Sequence, residues 1–303
     1  MIRTPVSQVV RGFLMGAADI VPGVSGGTIA LLLGIYERLI LNIRTVAGAL
    51  GHSIRLDGKG VMQCIRKVEW VWLFSLLAGI LLAVASLSAV LERLLEDEPI
   101  RMAGLFFGLI FGSVILAWRL VRSIRGVDFA IMLVSAIALF MFLGLRSDTS
   151  SDSAEAVTRP LWMFFVVGAI AICAMILPGI SGSFLLVMMG MYGEVLGAVN
   201  DRDVLVIGVF VLGCGIGLSA FSTLLEWLLE NHHDRMMAFL IGLMLGSLRV
   251  LWPWPGGTST TTMSLPRGDV LVPILLAVLG LVAVLTIEVV GQRVAKRLDA
   301  EHR

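Results

Sequence analysis

Apolar runs about as long as a bilayer is thick dominate this chain, separated by short polar or charged connections. Crossing the hydrocarbon takes roughly 20 mostly apolar residues in a helix. Six stretches meet that length: 70–91, 102–120, 127–145, 204–229, 236–252 and 270–290. Two further apolar stretches, 9–40 and 161–199, are each cut near the middle, at Pro22-Gly23-Val24-Ser25-Gly26-Gly27 and at Pro178-Gly179-Ile180-Ser181-Gly182-Ser183. Proline removes an N–H and clashes with the preceding turn, so neither stretch is one continuous helix. Non-helical backbone at membrane depth is tolerated only against protein or a watery cavity. Each broken stretch therefore reads as a re-entrant hairpin of two half-helices, with a binding site at its break. The segment 161–177 is also long enough to cross completely, and the pattern leaves both readings open.

Composition narrows the class. Of 303 residues, 58% are hydrophobic and 15% charged, with a mean hydropathy of +0.96, against about 45–50% and 25% in soluble domains. That excludes a soluble enzyme. With 23 Lys+Arg against 22 Asp+Glu there is no basic excess for a phosphate backbone, which excludes nucleic acid as a partner. Cys64, Cys173 and Cys214 lack CxxC spacing, so no disulfide framework, metal site or cofactor is indicated. The short apolar run 12–18 is interrupted by Asp19 and the Pro22-Gly23 break, so it is expected to belong to the mature fold and not to a removable signal peptide.

Most basic residues fall near the N-terminus, in 42–69, in 119–126, in 230–235 and after 291, whereas Glu96-Asp97-Glu98, Asp148, Asp152 and Glu155 lie on the other face. The positive-inside rule makes the basic face cytoplasmic, with both termini there.

The chain also repeats itself. Shifted by 156, residues 18–36 fall on 174–192 with 8 identities in 19 positions, including Pro22/Pro178, Ser25/Ser181, Gly34/Gly190 and Tyr36/Tyr192. Shifted by 134, residues 91–113 fall on 225–247 with 11 identities in 23, including Glu92/Glu226 and Arg101/Arg235. The expected fold is an all-α polytopic membrane protein of two repeats, 1–145 and 161–291, joined by an external linker 146–160 and followed by a cytoplasmic tail 292–303. Each repeat holds one re-entrant hairpin and three transmembrane helices. Three is odd, so the second repeat enters from the opposite side. Inverted repeats with broken helices are characteristic of alternating-access transporters, whose site lies near the midplane.

A half-helix starting at a Pro-Gly break offers free N–H groups and a positive dipole end to an anion. Ser25, Gly26, Gly27 and Thr28 head one such half-helix, and Ser181, Gly182 and Ser183 the other. Close packing of small residues is the plainer explanation, but two inverted copies of Pro-Gly-x-Ser-Gly exceed what packing requires. Asp19, a carboxylate in an apolar segment, calls for a partner or a role, whether protonation, cation coupling or capping a broken half-helix. Glu92/Glu226 and Arg101/Arg235 recur near span ends and are expected to brace each repeat with ion pairs or to gate, with lipid-phosphate contact as the alternative. Glu37 ends the first hairpin, with Glu194 one position out of register in the second, and is either a gating group or a solvated end. Arg11 and Arg38 flank the first hairpin and are placed to attract a lipid phosphate. His232-His233 reads as a solvated turn, Trp162, Trp252 and Trp254 as an interfacial belt, and Gly256 to Thr262 as a flexible external loop.

The string Arg11-Gly12-Phe13-Leu14-Met15-Gly16-Ala17-Ala18-Asp19-Ile20-Val21-Pro22-Gly23-Val24-Ser25-Gly26-Gly27-Thr28, followed by Gly34-Ile35-Tyr36-Glu37, resembles the bacterial polyprenyl-phosphate (undecaprenyl-phosphate) transporter family. Leu177-Pro178-Gly179-Ile180-Ser181-Gly182-Ser183 also fits it, and the resemblance covers essentially the whole chain. It implies translocation of undecaprenyl phosphate from the outer to the cytoplasmic leaflet of a bacterial inner membrane, to recycle the lipid carrier of cell-envelope synthesis. By position it makes Asp19, Ser25, Gly26, Gly27, Thr28 and Glu37 the first motif and Ser181, Gly182 and Ser183 the second, while Gly193 opposite Glu37 and Phe184 opposite Thr28 argue against equal halves. Two alternatives remain open. An undecaprenyl-pyrophosphate phosphatase would need an arginine where Gly26 or Gly182 stands. A small-anion transporter would use the same cradle without a lateral opening. A coupling proton or sodium ion, membrane lipids and a homodimer complete the open partner list.

Overall fold

The computed structural model describes residues 5–20, 25–54, 57–123, 125–144, 159–178, 180, 182, 185–186, 189–260 and 262–301. In the first half the helices are α1 (Pro5–Asp19), α2 (Gly26–Leu32), α3 (Tyr36–Ile54), α4 (Gly58–Lys67), α5 (Trp70–Asp97), α6 (Pro99–Trp118) and α7 (Gly126–Gly144). In the second they are α8 (Leu161–Ile176), α9 (Tyr192–Asn200), α10 (Val204–Asn231), α11 (His233–Ser247) and α12 (Leu271–Glu301), with a 3-10 turn at Gly257–Ser259. No strand occurs among the described residues.

Among the described residues, four helices are long and apolar enough to cross a membrane: Trp70–Leu87 within α5, then α6, α7 and α10. Leu161–Ile176 and Leu271–Thr286 are shorter apolar helices. The expected span 236–252 is cut short, because α11 stops at Ser247 and the chain continues to Trp252 through i→i+3 bonds such as Trp252 N–H to Arg249 C=O at 3.3 Å. Pro253 biases the residue before it away from the α conformation. The basic connection 42–69 is largely helical, not a loop. There α3 runs on to Ile54, and Asp57 caps α4 by accepting from Gly60 N–H at 3.1 Å. Gly60, Val61, Cys64 and Val68 turn inward along one face, an amphipathic stripe hidden among polar neighbours.

Helices pair in a matched way. The packing of α1 on α5 is echoed by α8 on α10, and that of α6 on α12 by α11 on α7. The first two pairs touch backbone to backbone. A Cβ at Gly12 would lie 1.9 Å from Leu76 O, and one at Gly79 2.0 Å from Val9 O. In the second pair, Gly168 would meet Phe210 O at 2.5 Å and Gly213 would meet Phe165 O at 2.1 Å. Lipid tails are as apolar as leucine, so close van der Waals approach at small residues is what holds such pairs together.

The largest buried cluster lies where α2 and α3 meet α6, α10 and α11, and includes Ile35, Tyr36, Ile40, Ile110, Leu225 and Ile241. Elsewhere Val71, Val134, Val204 and Leu205 stand exposed, as side chains facing lipid do. The run after α11, expected to be external, is packed, not loose. Trp254 is 5% exposed, Trp252 Nε1 donates to Ser264 O at 3.0 Å, and a Cβ at Gly257 would strike Pro99 O at 2.2 Å. Its aromatic rings and prolines wall an apolar cavity of about 350 Å3 against α6 and α12.

Candidate functional site

The first break is built by α1, α2 and the end of α8. Ser25 has extended backbone (φ −126°, ψ 140°) and caps α2, its Oγ accepting from Gly27 N–H at 3.1 Å and donating to Met175 O at 3.1 Å. Asp19 Oδ1 accepts from Gly26 N–H at 2.6 Å, and Ser25 O accepts from Thr28 N–H at 2.9 Å. Ser25, Gly26, Gly27 and Thr28 are all buried. The glycines are small because their space is taken: a Cβ at Gly26 would lie 2.6 Å from Asp19 Oδ2, and one at Gly27 2.6 Å from Ile176 O. Of the donors expected to face an anion, Gly26 N–H thus already holds one, a carboxylate from the same chain, while Gly27 and Thr28 N–H are taken by Ser25 and the Ser25 hydroxyl by Met175 O.

At the second break, Ser181 and Ser183 lie outside the described residues. Gly182 is buried, its Cβ direction 2.9 Å from Ala171 O and 3.3 Å from Met175 Cβ. Both hairpins then turn through a left-handed glycine, Gly34 at φ 64° and Gly190 at φ 65°, a conformation that suits glycine at a helix end. Beyond the first turn, the Tyr36 hydroxyl donates to Ile176 O at 3.3 Å. Ser25 and Tyr36 together therefore satisfy the last carbonyls of α8, which have no partner within their own helix.

A second polar cluster gathers at the end predicted to be cytoplasmic. Glu37, Arg38, Arg122, Glu226, Glu230 and His233 line a cavity of about 450 Å3 between α3, α10 and α11. Glu226, 7% exposed, pairs with Arg44. His233 Nε2 stands 3.5 Å from Glu37 Oε1, and its Nδ1 3.4 Å from Asp234 Oδ1. Both Arg44–Glu226 and Glu37–His233 join the first half of the chain to the second. Glu226 thus braces across the halves and not within one, and His233 is partly buried in this cluster instead of lying in a solvated turn. Nothing local in the sequence links His233 to Glu37; only the packing of α3 on α10, which brings the start of α11 alongside, does.

The other expected residues scatter. Arg38 pairs with Glu69 (Nε to Oε1 3.0 Å) and stands 4.9 Å over the Trp72 ring. That guanidinium, foremost by hydrogen bonding, holds the Glu69 carboxyl below its ordinary range. Arg101 sits at the far end, 2.9 Å from Glu98 and 3.6 Å from Asp269. Arg235 is exposed beside a separate polar pocket, and Arg11 Nη1 reaches Gln8 Oε1 at 3.5 Å. The Glu92 side chain lies outside the described residues. Among the described residues no group of three or more His, Cys, Asp or Glu could hold a metal, and the cysteines are free.

Asp234 accepts from Arg122 N–H at 2.9 Å, Ser123 N–H at 3.2 Å and Ser123 Oγ at 3.0 Å. These bonds, led by Arg122, favour the ionised form and hold its carboxyl down to about 2. A depressed folded value stabilises the fold above the unfolded carboxyl range and loses that contribution as pH falls toward about 2. Carboxyl-carbon NMR of labelled protein in detergent is expected to find Asp234 ionised well below pH 4, the ordinary aspartate value.

The undecaprenyl phosphate translocase-like family matches residues 15–267, most of the chain and both Pro-Gly breaks. The chain belongs to that family. It is 41% identical over 256 residues to the polyprenyl-phosphate transporter of Vibrio cholerae serotype O1, covering 82% of this chain and 78% of that protein. It is 31% identical over 257 residues to the polyprenyl-phosphate transporter of Staphylococcus aureus, covering 81% and 86%. No solved structure matches. The chain is thus a multi-pass membrane protein, helical throughout its described secondary structure, whose named relatives are transporters.

Proposed function

We propose that the protein carries undecaprenyl phosphate from the outer to the cytoplasmic leaflet of a bacterial inner membrane, with both termini cytoplasmic, by alternating access between two inverted repeats. The names of its relatives support the substrate class. The matched packing of α1 on α5 and α8 on α10 supports the repeats.

One observation supports the mechanism: the buried head of α2 gives a backbone N–H to a carboxyl group of the same chain. Asp19 Oδ1 rests 2.6 Å from Gly26 N–H, and Gly26 has no side chain because the carboxylate fills that space. The substrate phosphate would displace this tethered carboxylate and take the N–H and hydroxyl donors of residues 25–28, with 181–183 serving from the other repeat, while the prenyl tail stays in lipid. Displacement frees Asp19 to take a proton or a sodium ion, which links substrate entry to an ion gradient. Arg44–Glu226 and Glu37–His233 would close the cytoplasmic mouth, and Arg101–Asp269 the outer one. Arg11 and Arg38 would draw anionic headgroups toward the first hairpin.

A leaflet-resolved assay in vesicles, with imposed proton or sodium gradients, tests this reading. Purified protein is expected to move undecaprenyl phosphate between leaflets. The double variant Ser25→Ala, Ser181→Ala should slow it by about tenfold or more, the loss of two modest hydrogen bonds in the rate-limiting state, without loss of folded protein. Phosphate release from undecaprenyl pyrophosphate would mark an enzyme instead. Flux of free phosphate without lipid movement would mark a small-anion transporter.

A further inference from the structure

We propose that Tyr36 and Tyr192 are paired positioning residues. Each pins its own hairpin to the last carbonyls of the opposite repeat's first half-helix, in one of two alternating states. This rests on the reading of two inverted repeats that exchange roles during transport.

The two hairpins turn identically. Leu33 N–H bonds Ile29 O and Ile35 N–H bonds Ala30 O, at 2.9 and 3.0 Å; 156 residues on, Met189 N–H bonds Leu185 O and Met191 N–H bonds Leu186 O, both at 2.9 Å. Ile35 and Met191 are each 1% exposed, so both turns are sealed equally. One residue later the environments part. Tyr36 is 2% exposed and hydrogen-bonded to Ile176 O, whereas Tyr192 is 43% exposed and its hydroxyl makes no hydrogen bond among the described residues. Local backbone therefore does not decide where the tyrosine goes. What the other repeat presents does.

The acceptor follows the same arithmetic. Tyr36 bonds the carbonyl of residue 176, the last of α8, and 176 minus 156 is 20, the residue after the end of α1. Exchanging the repeats turns Tyr36–Ile176 into Tyr192–Ile20. A tyrosine enters an apolar core readily only when its hydroxyl finds a partner, so each helix-end carbonyl acts as the catch for one hairpin. This structure is the state in which the first hairpin is caught and the second released.

Spin-label distances test it, after the three native cysteines are replaced by alanine. One label on Leu41 or Val199, exposed positions on α3 and α9, is paired with a label on exposed Val134 of α7, in vesicles containing polyprenyl phosphate. Two populations are expected. Tyr36→Phe should shift them toward the second-hairpin-caught state and Tyr192→Phe away from it, each by about fivefold, what one hydrogen bond is worth. Both variants should slow transport. A purely structural Tyr36 would leave the populations where they are, and Tyr192→Phe, at an exposed site, tests the pair even if Tyr36→Phe folds poorly. A single unchanging population, same-direction shifts, or no response to Tyr192→Phe would overturn the tyrosine proposal while vesicle transport still upheld the function. Opposite shifts without transport of polyprenyl phosphate would uphold the tyrosine pair and overturn the function.

Discussion

Gly12→Ala is expected to destabilise the protein by roughly 3 kcal/mol, the upper end of what overpacking usually costs. Its new Cβ would sit 1.9 Å from Leu76 O, an atom of backbone that cannot rotate away. The α1–α5 pair would have to separate along its length, which also parts Gly79 from Val9 O. A control isolates the cause. Gly208 in α10 has nothing within 4 Å of its Cβ direction, so Gly208→Ala should be neutral or stabilise by up to about 1 kcal/mol through helix propensity. Unfolding in a denaturing detergent series measures both. Equal effects would mean that the close crossing contributes little.

At Asp19, two substitutions are expected to separate the charge from the hydrogen bond. Asparagine retains an acceptor for Gly26 N–H and should fold normally. Alanine leaves that buried N–H unpaired, a loss of about 1–3 kcal/mol. If the carboxylate competes with the substrate phosphate, both variants bind polyprenyl phosphate more tightly and turn it over more slowly, with transport falling by about tenfold or more as release loses its competitor. Binding isotherms and vesicle transport, measured on the same preparation, check this. Weaker binding with unchanged turnover would instead make Asp19 a simple cap of α2.

Much of this was legible in the sequence because glycine and proline constrain local backbone. The alignment of Gly34 with Gly190 anticipates two turns of equal hand, and the Pro-Gly-x-Ser-Gly break anticipates Ser25 as the head of a helix. Other features needed tertiary structure. Helix α4 hides in a basic stretch whose charges suggest a loop, since its inward face is only partly buried and short. The Arg44–Glu226 pair could not be read, because Glu226 looks toward Arg235 along its own segment but meets Arg44 across the halves. The apolar setting of Asp19 puts capping of a broken half-helix among its roles, and the fold adds that the N–H it takes is Gly26's, one of those proposed for the substrate.

Main-chain contact between α1 and α5, and again between α8 and α10, carries a mechanical consequence. A carbonyl oxygen lodged against a glycine Cα acts as a tooth in a notch, so neither helix can slide lengthwise past its mate without first lifting off. Each pair is then a splinted beam, stiff along its axis. Whatever bending a lipid cargo demands must be taken up by the short segments between the beams, and a wedge driven there would jam the machine without touching its cargo.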